Sequence, residues 1–312
     1  MSASGLICES AVADTSTFNA VAANPRTSGL ARAADYLELT KPKIAVLELL
    51  TVLAAGSMAR WSSGDVFVLV HAMLGTALVA ASASACNQWL ERHLDARMPR
   101  TADRPLPAGR LSAAEALSFA AITGLAGLVY LAVAVNLLTA LLGLFSWWLY
   151  VCVYTPMKPR TTLNTVVGAV AGGLPVLMGF SAVHGRFGMA AWALFLVVFL
   201  WQFPHFMAIA WLYRDQYRAA GMKMLPVVDS SGQLSGIQAV CSAMLLVPVS
   251  LLPSVTHFAG LEYVAVALVL GLGQLALAIA FYYRPGERTA RLLLRASLVY
   301  LPVLLFCMIF CT

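Results

Sequence analysis

Apolar residues gather into nine long runs, at 44–60, 66–90, 113–135, 137–155, 163–183, 189–212, 237–258, 261–283 and 292–311. The short stretches between them hold nearly all of the charge. About 20 apolar residues span the hydrocarbon core of a bilayer as a helix, so each run predicts a transmembrane helix. Strands of a membrane barrel would alternate apolar and polar residues over about ten positions, and these runs do not. The pattern predicts an all-α membrane protein with nine transmembrane helices over residues 39–312. Residues 1–38 precede them as a polar tail.

Composition agrees with this class. Hydrophobic residues make up 61% of the chain and charged residues 11%, against about 25% charged in a soluble domain. Too little polar surface remains to cover a water-facing globule. The formal charge of +6 lies in the loops, which reads as membrane orientation and capture of an anionic substrate rather than binding of nucleic acid. With the N-terminus placed in the cytoplasm, only Arg60 and Arg186 fall on the outer side, leaving 18 of the 20 basic residues inside. That bias predicts an N-inside, C-outside topology. The tail contains Glu9 and Asp14 with Arg26 and Arg32 as its basic residues, and has no apolar core of a signal peptide. It is expected to be a disordered cytoplasmic tail, and the expected location is a bacterial inner membrane. The six cysteines form no CxxC pair and read as small buried hydrophobes.

The densest polar cluster is NQWLERHLDARMPRTADRPLP, residues 87–107. Asn87, Glu91 and Asp95 are spaced i, i+4, i+8, and four residues advance a helix by about 400°, so the three side chains share one face. An amide and two carboxylates at the end of a membrane helix form an oxygen-rich site suited to Mg²⁺, with phosphate oxygens and water completing the shell. Arg100 and Arg104 follow at once, with the geometry to neutralise a diphosphate. A charged helix end snorkelling into the interface is the alternative.

The run Asn87-x3-Glu91-x3-Asp95, followed by Met98, Arg100, Thr101, Arg104, Pro105 and Leu106, closely resembles the first signature of the UbiA-type membrane prenyltransferases. The resemblance extends from about Leu39 to the last run. It implies a nine-helix bundle and an Mg²⁺-dependent enzyme acting on isoprenyl diphosphates. Glu91 departs from the usual Asp, which keeps the charge and adds a methylene. Within the family, Tyr154-Thr155 with Lys158, Thr161 and Asn164, VVGAVAGGLPVLMG at 166–179, WQFPHFMAIAW at 201–211 and YRAAGMKMLPVV at 217–228 are similar to the branch that farnesylates heme b.

That resemblance implies heme b and farnesyl diphosphate as substrates, and a downstream heme-modifying or oxidase-assembly protein as a partner. Asn87, Glu91 and Asp95 would hold the metal. Asp215, in Tyr213-Arg214-Asp215-Gln216-Tyr217, is the sole carboxylate where the family carries a second acidic motif, and is the expected ligand of a second ion. Arg100, Arg104, Lys158, Arg218 and Lys223 are expected at the diphosphate. Tyr154 would either bond the diphosphate or flank an allylic cation, or else be an interfacial tyrosine. Gly168 and Gly172 have small-xxx-small spacing and suit close helix packing. His205, inside the sixth run, is a candidate for heme iron or a propionate, or a satisfied structural histidine beside Pro204. Glu48, an acid within the first run, either snorkels toward Lys41 and Lys43 or faces substrate. A sister enzyme with an aromatic acceptor and a membrane transporter are the alternative functions. A transporter should show paired broken helices at mid-membrane, whereas the polar residues here cluster at one face.

Overall fold

Within a bilayer each backbone N–H and C=O must be satisfied in its own segment, which leaves these apolar runs the helix as their solution. The computed structural model describes residues 29–58, 63–255 and 260–310, and no strand occurs among them. The chain runs through α1 (Gly29–Leu39), α2 (Pro42–Ser57), α3 (Ser63–Asp95), α4 (Ala113–Ala134) and α5 (Leu137–Trp148). A π-helical turn, Leu149–Tyr154, carries α5 into the short α6 (Thr155–Met157). Next come α7 (Asn164–His184), α8 (Met189–Leu212), α9 (Arg214–Ala219) and α10 (Leu225–Val228). The last are α11 (Gln233–Val249), α12 (Leu252–Val255), α13 (Leu261–Tyr283) and α14 (Glu287–Phe310).

Among the described residues, eight helical stretches are long and apolar enough to cross a membrane. The ninth predicted, α2, has 16 residues, about 24 Å of helix. The end of its run, with Arg60, lies outside the described residues, as does the predicted tail through residue 28. Residues 29–38, expected within that tail, instead form α1. Its buried Asp35 and its Glu38 meet Arg110 at 2.7 and 2.6 Å, and Tyr36 packs on Phe119 at 5.4 Å. Long-range partners in a later loop were invisible in the local composition.

The most enclosed helices are α7 and α8. Helix α7 packs against α2, α3, α5 and α8, while α8 packs against α11 and α14. The remaining helices flank this pair, and α14 meets α2. On α4, Ile122, Leu125, Val129 and Val133 point outward and are each more than half exposed, an apolar stripe that suits lipid. The tightest crossing is α2 on α7: a Cβ at Gly179 would lie 2.2 Å from the carbonyl oxygen of Val52, so a glycine is required there.

Helix α3 positions the site. Its 33 residues make about 50 Å of helix, well beyond a hydrocarbon core of about 30 Å. Asn87, Glu91 and Asp95 lie in its last turns, where the helix leaves the apolar layer yet is still walled by its neighbours.

A candidate diphosphate and metal site at the end of α3

Asn87, Glu91 and Asp95 are buried side by side on one face of α3, each at most 4% exposed. Buried carboxylates persist when paired, and each oxygen group here faces a cation. Lys41 Nζ donates to Asn87 Oδ1 at 2.5 Å. Lys158 Nζ lies 2.6 Å from Glu91 Oε1. Arg104 Nη1 donates to Asp95 Oδ2 at 2.7 Å. The amide nitrogen of Asn87 donates to Thr155 Oγ1 at 3.0 Å, which fixes its oxygen toward the cations.

The π turn sets the opposite wall. A π turn inserts one residue into a helix and is common at functional sites. Here it directs Tyr154, Thr155 and Lys158 toward α3. Thr155 Oγ1 donates to the Tyr150 carbonyl at 2.9 Å, five residues back. Lys158 Nζ sits over the Tyr154 ring, 4.7 Å from its centre, and the Tyr150 and Tyr154 rings are 5.3 Å apart. Gly168 on α7 makes room, since a Cβ there would come within 2.7 Å of the Tyr154 ring. Gly172 does the same for Gln202 of α8, whose Oε1 such a Cβ would meet at 2.2 Å. Both glycines serve close packing.

Lys41 is the N-cap of α2 and holds φ 53°, the one non-glycine residue with positive φ among those described. Strain of this kind persists only where the surroundings enforce it, and here it delivers the ammonium to Asn87. In the sequence alone Lys41 is a topogenic charge and a partner for Glu48. Glu48 lies two turns further along α2 and makes no ion pair among the described residues.

The two long loops close the site from above. Met98 packs with Ala210, Tyr217, Ala220 and Met222, which binds the loop after α3 to the loop after α8. Arg100 lies over the Tyr213 ring at 4.6 Å and donates to the Tyr217 hydroxyl at 3.2 Å. Tyr213 and Tyr217, whose motif positions alone imply no role, are what aims Arg100 inward.

Other predicted residues lie elsewhere. The Asp215 side chain is 73% exposed and pairs with Arg218 at 2.8 Å, so neither lines the cavity. The inward oxygen of α9 is Gln216 Oε1, buried with no hydrogen-bond partner. Lys223 is exposed and contributes backbone: its N–H donates to the Lys158 carbonyl at 2.7 Å, and its own carbonyl accepts from Asn164 at 3.1 Å. His205 stacks on Trp201 with ring centres 5.0 Å apart, deep in α8 and away from the cavity. Ser297 Oγ donates to the Leu294 carbonyl at 2.7 Å, so it accepts from His205 Nδ1, 2.8 Å away. That favours the proton on Nδ1 and leaves the Nε2 lone pair as the acceptor or ligand.

The cavity so formed has a volume of about 90 Å³. Four of its lining residues are cationic (Lys41, Arg100, Arg104 and Lys158), against two carboxylates, Glu91 and Asp95. The surplus is two positive charges with Lys41 protonated and one without it, and either favours an anion. Burial, with help from the charges of Arg104 and Lys158, pushes the Lys41 ammonium down to about 7. Burial acts the same way on Lys158, but Glu91, Tyr154 and Tyr150 outweigh it and hold this ammonium above its ordinary value.

The donor set also fits a hard divalent cation. It offers oxygens only, each already facing positive charge, and Glu91 Oε1 is buried without a well-directed hydrogen bond despite the nearby ammonium. Two carboxylates and an amide fall short of a full shell, which diphosphate oxygens and water would complete.

Residues 49–305 match the UbiA prenyltransferase family, and the chain belongs to it: a prenyltransferase of that family with multiple helices able to cross a membrane. Among its relatives is the protoheme IX farnesyltransferase of Solibacter usitatus (strain Ellin6076), 42% identical over 279 residues, covering 86% of this chain and 96% of that protein. The protoheme IX farnesyltransferase of Rhodopirellula baltica (strain DSM 10527 / NCIMB 13988 / SH1) is 41% identical over 280 residues, covering 87% and 98%. The fold matches a digeranylgeranylglyceryl phosphate synthase with a TM-score of 0.72 at 19% identity, over 89% of this chain and 99% of that one. It also matches a UbiA homolog from Archaeoglobus fulgidus bound to GPP and Mg²⁺, with a TM-score of 0.63 at 19% identity, over 88% and 99%.

Proposed function

We propose that this enzyme transfers the farnesyl group of farnesyl diphosphate to a vinyl group of heme b, giving heme o and releasing diphosphate. The observation that carries the prenyl-transfer half is the buried Asn87, Glu91 and Asp95 stripe facing a cavity with surplus positive charge. The acceptor rests on the relatives, whose names specify heme and farnesyl, and on their identity across most of the chain.

Asn87, Glu91 and Asp95 would hold Mg²⁺, which supplies Lewis acidity to the diphosphate oxygens. Arg104, Lys158 and Lys41 would turn from the stripe to the diphosphate and, with Arg100, stabilise the charge it gains as the C–O bond breaks. Tyr154 and Tyr150 would present their ring faces to the allylic cation. Apolar walls would keep water from it. The terminal carbon of the heme vinyl group would then form the new C–C bond. Water would add to the resulting cation beside the macrocycle and lose a proton, leaving the hydroxyl of the hydroxyethylfarnesyl arm. His205, with Nε2 as its free nitrogen, is the residue we assign to the heme. The setting we propose is a bacterial inner membrane with the N-terminus and the cavity on the cytoplasmic side, α2 being the ninth span.

Diphosphate release by membranes containing the protein tests the acceptor. Release should require heme b and should not be supported by a hydroxybenzoate. Release with hydroxybenzoate and none with heme would assign the chain to an aromatic-accepting branch.

A further inference from the structure

Arg288, Arg291 and Arg295 stand at i, i+3 and i+7 at the start of α14, all exposed. At 100° per residue they fan over about 60° of one helix face. With Glu287 and Leu292 they line an open groove of about 440 Å³. Glu287 neutralises only Arg291, at 2.8 Å. Arg288 and Arg295 make no ion pair among the described residues, and exposed Arg284 adds a further charge one turn before.

The position of this groove in the bundle narrows its partner. The opposite face of α14 is packed, with Ala290, Leu293, Ser297 and Tyr300 buried, so the arginines point away from the protein. Leu298, Val299, Val303 and Phe306 continue the helix as exposed apolar surface, which belongs in lipid. Tyr283, 75% exposed just before Arg284, occupies the place of an interfacial aromatic. The stripe therefore lies at the rim of the hydrocarbon layer. It shares a membrane face with the candidate site, because Gly232 is wedged between Pro285 of the α13–α14 turn and Trp211 at the site end of α8.

We propose that this arginine groove binds the headgroup phosphate of an anionic phospholipid in the leaflet facing the diphosphate cavity. Guanidinium groups pair with phosphate oxygens bidentately, and the acyl chains would lie along the apolar continuation of α14. Zwitterionic lipids carry the phosphate with a compensating cation, so net charge provides the selection. A basic residue at such a surface is worth roughly a fivefold preference.

The test uses the full-length protein in nanodiscs of phosphatidylcholine with phosphatidylglycerol, extracted into detergent, and the lipid that stays bound is measured by native mass spectrometry. The wild type should retain phosphatidylglycerol in excess of its bulk share. The R288Q/R291Q/R295Q variant should lose that excess, R295Q alone should reduce it about fivefold, and R288K/R291K/R295K should keep most of it. These residues lie outside the candidate site, so farnesyl diphosphate turnover in saturating lipid reports that each variant is folded. No excess in the wild type, or an equal excess in folded R295Q, overturns the proposal. Displacement of the lipid by millimolar inorganic phosphate also overturns it, by showing a site for free anions.

Discussion

Lys158 Nζ stands 2.6 Å from Glu91 Oε1, and this pair ties the oxygen stripe of α3 to the π turn that follows α5. Charge on one side needs the other, because both side chains are largely withdrawn from water. Replacing one partner of such a pair costs about 3–5 kcal/mol when the other charge stays buried. Glu91→Gln is therefore expected to lower the thermal midpoint as well as turnover. Glu91→Asp, with the shorter carboxylate usual in the family, should keep more of both. Equal stability for Glu91→Gln and wild type would mean that Lys158 has another partner.

Asp95 sits at the end of the stripe against Arg104. Asp95→Ala should abolish farnesyl transfer, a loss of 10³-fold or more if several kcal/mol of charge stabilisation go with the metal. The helical content of the membrane fraction should not change. Removal of Mg²⁺ with EDTA should give the same loss in the wild type, reversed by adding the ion back. Product formation by Asp95→Ala at the normal rate would remove the stripe from the chemistry.

Asp215 faces solvent in a pair with Arg218, an arrangement of little energetic weight. Asp215→Asn is expected to retain turnover within about fivefold, since exposed pairs contribute at most about 1 kcal/mol. Gln216→Ala, which removes the inward oxygen of α9, should reduce turnover more. The reverse order in a steady-state assay would return the ligand role to Asp215.

Gly168 leaves the space that the Tyr154 ring fills. Gly168→Val should displace the ring and lower kcat, with an overpacking cost of about 1–3 kcal/mol in stability. A variant that is destabilised but turns over normally would make Tyr154 a packing residue.

Ser297 Oγ lies 2.8 Å from His205 Nδ1 and bonds the Leu294 carbonyl, an arrangement that favours the proton on Nδ1. Ser297→Ala frees the imidazole to exchange tautomers, so KM for heme b should rise several-fold while KM for farnesyl diphosphate stays constant. Parallel changes in both constants would point to a general packing defect.

Much of this arrangement was legible in the chain. The run at 189–212 and α8 coincide, and α4, α7 and α13 depart from their predicted runs by a residue at most, because apolar length in a membrane leaves helix as the only outcome. The stripe was legible as well, since Asn87, Glu91 and Asp95 lie within one helix and their periodicity reports one face. Lys41 was hidden because its role depends on a left-handed backbone at the N-cap of α2 and on a partner 46 residues away. The burial of Gln216 Oε1 beside an exposed Asp215 was hidden for a related reason. In a helix as short as α9 adjacent residues point about 100° apart, and only the packing of Tyr217 on Met98 decides which of them turns inward. Helix α1 is a third case, held by Arg110 from a later loop.

The most direct measurement incubates membranes containing the protein with heme b, farnesyl diphosphate and Mg²⁺, then identifies the extracted hemes by chromatography and mass. The account predicts a heme heavier by one farnesyl group and one hydroxyl, formed by the wild type and absent with Asp95→Ala or EDTA. Folded protein that leaves heme b unchanged while it prenylates an aromatic acceptor would contradict it.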